Sequence, residues 1–166
     1  FFPYGYNKLR KNALSPGTLS LERHRLLWIF LEKETDFFNT ENKILHIAPE
    51  QCFYKSFKKN FESYTTCDLN SPIAEIKADV CNLPFDENEF DFVLCNHVLE
   101  HVYDDEKAMK EIYRVLKHEG KAILQVPVDN ALEKTIDGRD ISDQSLRNKL
   151  FGQYDHLRLY GTDYYD

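Results

Sequence analysis

Short apolar runs alternate with amphipathic stretches along most of this chain. Ile44, Leu45 and Ile47 predict a buried strand over residues 43–47, with a helix over 50–59 behind it. Residues 64–67, rich in threonine and aromatic side chains, predict a second strand, and 76–78 a short third. A polar connection over 84–89 leads to a fourth strand at 90–95. There Phe92, Val93, Leu94 and Cys95 are apolar in succession, as in a parallel strand covered on both faces. Asp104 then reads as an N-cap, with Asp105 and Glu106 at the positive end of the helix. Ala108, Met109, Ile112, Val115 and Leu116 form its apolar stripe. Lys117 and His118 suit its last turn, and Gly120 suits its stop. Residues 122–126 predict a fifth strand closed by Pro127, followed by a loop over 128–141 and a helix near 142–150. Upstream, residues 19–34 read as a helix, apolar nearly all round from 26 to 31 and so expected to be well buried. Residues 1–18, with Pro3, Gly5, Pro16 and Gly17, are expected to be irregular.

Strands alternating with helices imply βαβ units. The expected class is α/β, a Rossmann-like, doubly wound, mostly parallel sheet with helices on both faces. The expected organisation is an N-terminal irregular segment plus buried helix over 1–42 and a Rossmann-like core over 43–166.

Composition narrows the partners. The net charge of −7 argues against broad contact with a phosphate backbone, so no nucleic acid is expected. No apolar run approaches membrane-spanning length, so no membrane partner is expected either. Lys8, Arg10, Lys11, Arg23 and Arg25 make the first 31 residues basic against the acidic remainder, a solvated face or a contact for an acidic partner. Cys52, Cys67, Cys81 and Cys95 are spaced 14 or 15 apart without a CxxC pair. That spacing predicts reduced thiols, a cytoplasmic protein and no metal.

In such sheets ligands bind beyond the carboxyl ends of the strands. The predicted ends carry His46, Ala48, Pro49 and Glu50, then Asp68 and Leu69, then Asp79 and Val80, then Asn96 and His97. Asp68 lies twenty residues beyond Ala48, the spacing at which a carboxylate accepts hydrogen bonds from a ribose. Asp79 could accept from an adenine amino group. As alternatives, both aspartates serve as turn residues, and Glu50 as a first-turn glutamate complementing the helix dipole. Asp91, at the opposite edge, is expected to be structural. The first turn lacks the glycines that let a backbone approach a pyrophosphate, and Glu50 would repel one. A cofactor with a ribose and positive charge but no phosphate suits it better than NAD.

The stretches ILHIAPE (44–50), TTCDLN (65–70), KADVCNLPFDENEFDFVLCNHVLEHV (77–102) and EIYRVLKHEGKAILQVP (111–127) together resemble class I S-adenosylmethionine-dependent methyltransferases of type 11. The resemblance implies a seven-stranded sheet with S-adenosylmethionine over the ends of its first, second and fourth strands. It assigns His46, Ala48, Pro49 and Glu50 to the first cofactor motif, Asp68 to the ribose and Asp79 to the adenine side. It places Asn96 and His97 in the loop after the fourth strand. Where the family has an acid and three glycines, this chain has His46, Ala48, Glu50 and Cys52. Residues 10–28 resemble a subgroup's zinc-ribbon-like segment, but Ser15 and Thr18 replace its cysteines, so no zinc is expected there.

Candidate catalytic groups are His97 and His101, four residues apart and without an apparent third metal ligand in sequence. His156, Arg158 and Tyr160 in DHLRLYGTDYY are further candidates, since alternation in an extended segment would turn them to one side. Arg158 could hold an anionic substrate, and Tyr160 or His156 could shape or deprotonate it. The resemblance places this segment beside the acceptor site. Glu100 and Arg114 are expected to be structural. The expected function is methyl transfer to a small-molecule acceptor, with a catalytically silent cofactor-binding or interaction module as the alternative. Five strands are expected from these residues. The exposed sheet edge would be covered by a second copy of the chain or by further residues.

Overall fold

A computed structural model describes the backbone at residues 4–5 and 8–166 and the side chains from residue 10 onward. Pro3 therefore lies outside the described residues. The two-residue strands β1 (Tyr4–Gly5) and β2 (Lys8–Leu9) pair antiparallel. The remaining elements are α1 (Glu22–Glu34), β3 (Ile44–Ile47), α2 (Gln51–Asn60), β4 (Tyr64–Asp68), β5 (Ile76–Lys77), β6 (Phe90–Asn96), α3 (Asp105–Val115), β7 (Leu116–Gln125), β8 (Ile136–Asp137), α4 (Gln144–Phe151) and β9 (Arg158–Leu159). A 3-10 turn, Leu99–His101, sits between β6 and α3.

The central sheet has five parallel strands in the order β5-β4-β3-β6-β7. The chain winds outward from β3 in one direction, then returns and winds outward from β6 in the other. The strand order therefore reverses between β3 and β6, and a crevice opens there at the carboxyl ends. This is the parallel Rossmann-like sheet expected from the sequence.

Period-two alternation assigns the strand side chains to two cores. Leu45, Ile47, Val93 and Cys95 join Ala108, Ile112 and Val115 of α3 on one face. Ile44, Phe92 and Leu94 join Phe53 and Phe57 of α2 and Leu27 and Leu31 of α1 on the other. That second core is aromatic. Phe37 meets Phe57, Phe61 and Phe92 with ring centroids 5.1–5.3 Å apart.

Three expectations need correction. The upstream helix starts at Glu22, not at residue 19, and Leu19 instead adopts a left-handed backbone at φ 57°. It is also not buried all round: Leu26 is 67% exposed and Ile29 54%. A six-residue apolar run spans more than a helical turn, so it must cover every side, and only the face of His24, Leu27 and Leu31 meets the core. Finally, α3 ends at Val115 rather than near Gly120. Leu116 already pairs with Phe90, and Lys121 pairs with Phe92, so residues 117–120 bulge out of the ladder. Within that bulge it is Glu119, not Gly120, that takes the left-handed backbone, at φ 69°.

The N-cap of α3 follows its sequence signal. Asp104 accepts from Lys107 N–H at 3.0 Å at the start of α3, and Asp143 caps α4 through Ser145 N–H at 2.8 Å. Gly152, left-handed at φ 79°, closes α4. The expected loop over 128–141 carries β8, which pairs antiparallel with β9 and draws the C-terminal segment back onto the molecule. Asp91 accepts from Lys43 N–H and Lys117 Nζ, each at 2.8 Å, at the amino edge of the sheet.

Candidate cofactor and acceptor cavities

The crevice at the strand-order reversal is a cavity of about 660 Å³, within the usual range for a small-molecule site. β3 delivers Ile47 and Ala48 to it, β4 delivers Asp68, and the turn after β6 delivers His97. Leu69, Asp79, Val80 and His101 also line it. Ala48 and His97 hold positive φ, 52° and 55°. These turns need a left-handed residue, a conformation glycine accepts without cost and alanine or histidine does not.

Each key carboxylate keeps an oxygen for a ligand. Asp68 Oδ1 accepts from Asn70 and Ser71 N–H at 2.7 and 2.5 Å, which fixes the turn and leaves Oδ2 without a hydrogen-bond partner among the described residues. Asp79 Oδ1 likewise accepts from Cys81 N–H at 2.8 Å. Leu69 beside Asp68 is 50% exposed, an apolar surface at the cavity wall. Four aspartates, Asp68, Asp79, Asp104 and Asp155, line the cavity against one lysine, Lys107. That balance repels a pyrophosphate and favours a nucleoside bearing cationic groups. The residues present therefore fit S-adenosylmethionine, whose sulfonium and ammonium are both positive.

His46, Pro49, Glu50 and Asn96 are not brought to this cavity. Glu50 occupies the N-cap position of α2, but its carboxylate makes no capping hydrogen bond. Its Oε2 accepts from Asn96 Nδ2 at 2.9 Å, and its Oε1 lies 3.0 Å from Nε2 of His24 on α1. Leu21 N–H donates to His24 Nδ1, so the ring proton sits on Nε2, facing Glu50. His46 is fully buried. Its Nδ1 is 2.8 Å from the Tyr64 hydroxyl and its Nε2 is 3.6 Å from Glu50 Oε2. Burial alone would raise the Glu50 pKa. The close approach of the His24 and His46 rings and the hydrogen bond from Asn96 outweigh it and hold the carboxyl well below the usual range. The glycine-free turn is thus braced by a buried polar network, where a cofactor contact through Glu50 was expected. Sequence spacing could not have shown this, because His24 lies outside the motif.

A second cavity, about 430 Å³, lies behind His97 and His101, which line both. His156, Glu100, Arg10, Glu22, Arg23 and Gln153 also line it. His97 Nδ1 is 3.2 Å from Oε1 of Glu100, a carboxylate only 1% exposed. Burial, with His101 beside it, lowers the His156 pKa and keeps that ring neutral at pH 7. Arg158 and Tyr160 reach neither cavity. Arg158 is buried and donates to the carbonyls of Leu99, Val102 and Tyr103 at 2.6–3.0 Å. The Tyr160 hydroxyl donates to Asp105 Oδ2 at 2.8 Å. The alternation that groups His156, Arg158 and Tyr160 in sequence turns the last two into the protein, where β9 packs on the 3-10 turn and α3. Burial pushes the thiols of Cys52 and Cys67 up to about 11 and about 12, so neither is a nucleophile at neutral pH.

A family model described as a methyltransferase domain matches residues 40–124. The 2-phytyl-1,4-naphtoquinone methyltransferase of Nostoc punctiforme is 44% identical over 52 residues, 31% of this chain and 23% of that protein. The ubiquinone/menaquinone biosynthesis C-methyltransferase UbiE of Rickettsia prowazekii is 34% identical over 92 residues, 55% of this chain and 36% of that protein. Each match thus covers well under half of the relative's own length. The crystal structure of YcgJ from Bacillus subtilis superposes with a TM-score of 0.60 at 17% identity, over 87% of this chain and 65% of that one. No described helix is long and apolar enough to cross a membrane.

Proposed function

The chain belongs to the methyltransferase-domain family, with S-adenosylmethionine as its cofactor, and on that premise we propose that it transfers a methyl group to a small polar acceptor held in the second cavity. The observation that carries this reading is the shared wall: His97 and His101 border both cavities, so groups bound on either side meet at these two rings. The bound cofactor supplies an electrophilic methyl group on a sulfonium. Asp68, through its free oxygen, accepts from the ribose hydroxyls, with Leu69 as an apolar neighbour. Asp79 and Val80 take the adenine side.

His97 is the base for a protonated acceptor. Glu100 Oε1 orients it by accepting a hydrogen bond from Nδ1–H, which leaves Nε2 to accept a proton. The relatives are named for quinone substrates. Here Arg10, Glu22, Arg23, Glu100 and Gln153 give the second cavity a polar lining of both charges, which favours a compact polar acceptor over a long apolar chain.

A catalytically silent module is the second reading, favoured by the closed network that holds His46 and Glu50 away from the cavity. Labelled-methyl transfer from S-adenosylmethionine to a panel of small hydroxyl- and carboxyl-bearing acceptors separates the two. Turnover that falls about 100-fold or more in His97→Gln, with cofactor affinity retained, supports the enzyme reading. Cofactor binding without transfer to any acceptor leaves the silent module.

A further inference from the structure

Beside the His97 base, the second cavity carries a cluster of ligand-bearing side chains whose grouping the proposed methyl transfer does not by itself explain. One ligand atom each from Glu100, His101 and His156 lies within 4.8 Å of the other two. We propose that these three residues bind a divalent first-row transition cation, of which zinc is the probe, with an open coordination position facing the second cavity.

The first support is Glu100. Its carboxylate is 1% exposed; Oε1 is held by His97, and Oε2 is buried without a hydrogen-bond partner among the described residues. A buried carboxylate oxygen with nothing to pair with is costly, and a cation beside it offsets that cost. The second support is how the two imidazoles are held. His101 Nδ1 lies 3.2 Å from the carbonyl of Asp155, and His156 Nδ1 3.2 Å from the carbonyl of Phe151. Carbonyls only accept, so both protons are fixed on Nδ1 and both Nε2 lone pairs are left to bind. This is the outer-shell arrangement that orients histidine ligands. The two rings meet edge to face with centroids 4.8 Å apart.

The segments that carry the ligands are also pinned together. Leu157 N–H donates to the Glu100 carbonyl at 2.8 Å, joining the 3-10 turn to the strand after α4. Nitrogen and oxygen ligand atoms around a tetrahedral zinc sit about 3.3–3.6 Å apart, so loading draws the group in by up to roughly 1.5 Å. His101, whose side chain is 31% exposed, can make that movement. Two imidazoles and one carboxylate select zinc and its transition-metal neighbours over magnesium or calcium, which prefer all-oxygen shells. In sequence, HVLEH supplies only Glu100 and His101 of this set. The fold brings His156 in from 55 residues away.

Metal binding does not depend on the methyltransferase reading. Only its use, holding an acceptor oxygen and lowering that oxygen's pKa beside His97, rests on it. The test is therefore made without cofactor or acceptor. Chelator-stripped, tag-free protein is titrated with zinc in competition with a chromophoric chelator. One equivalent is expected, weakened at least tenfold in both Glu100→Gln and His101→Gln and unchanged in a Cys52→Ser, Cys81→Ser double variant. X-ray absorption should then show nitrogen and oxygen around the metal and no sulfur. Glu100→Gln alters a buried site, so circular dichroism checks its fold. The half-exposed His101→Gln decides the matter alone if Glu100→Gln is unfolded. Absence of stoichiometric binding, sulfur in the first shell, or affinity unchanged in folded His101→Gln would overturn the site.

Discussion

Glu50 Oε2 accepts a hydrogen bond from Asn96 Nδ2 at 2.9 Å, tying the N-cap of α2 to the end of β6. The same carboxylate faces His24 of α1 and His46 of β3. One side chain thus links four segments at the glycine-free first turn, and it does so without lining the cavity.

Removing that carboxylate leaves two histidines and an asparagine facing a gap. Glu50→Ala is expected to lose about 3 kcal/mol of stability, the scale for breaking a buried charged network. In a chain of this length that lowers Tm by roughly 6–12 °C. Urea unfolding and a thermal scan read it directly, and a loss under about 0.5 kcal/mol would mean the network contributes little.

The network also makes stability depend on pH. The Glu50 pKa is depressed on folding, so the unfolded chain binds more protons through the window below its ordinary value near 4.5. Its contribution is complete above that value and lost as pH falls through the window towards the folded pKa. The urea midpoint should therefore drop between pH 6 and pH 3.5 by more in the native sequence than in Glu50→Gln. Equal drops would remove Glu50 as the cause.

Ala48 turns at φ 52°, where a Cβ is crowded. Ala48→Gly is expected to raise stability by about 0.5–1 kcal/mol, and the β-branched Ala48→Val to lower it by more than that. Denaturation midpoints of the pair test whether the glycine-free turn is strained.

Arg158 satisfies three carbonyls from a fully buried position and lies 3.4 Å from Asp105. Arg158→Met should destabilise the fold by about 3 kcal/mol or more through orphaned buried acceptors. The remaining folded fraction should keep its cofactor affinity. A variant of native stability with weakened acceptor binding would return Arg158 to the substrate.

The alternation of strands and helices was legible because each central strand is covered on both faces and each helix on one. The residues at the strand ends followed from that register, and Ala48, Asp68, Leu69, Asp79, Val80 and His97 do line one cavity. What the sequence hid depends on contacts between distant segments. His24 meets Glu50 from another helix, and His156 meets His101 only because β9 folds back onto β8. Burial of residues 26–31 was misread because an unbroken apolar run carries no period to say which side faces the core.

The most direct test of the aspartate-lined cavity as an S-adenosylmethionine site is titration calorimetry with that cofactor and with NAD, on the native chain and on Asp68→Asn. The asparagine keeps an Oδ1 acceptor for the turn and removes the charge. One site for S-adenosylmethionine is expected, weakened about 10- to 100-fold in Asp68→Asn by loss of a charge-assisted hydrogen bond, with no measurable binding of NAD. Absence of S-adenosylmethionine binding, or tighter binding of NAD, would contradict it.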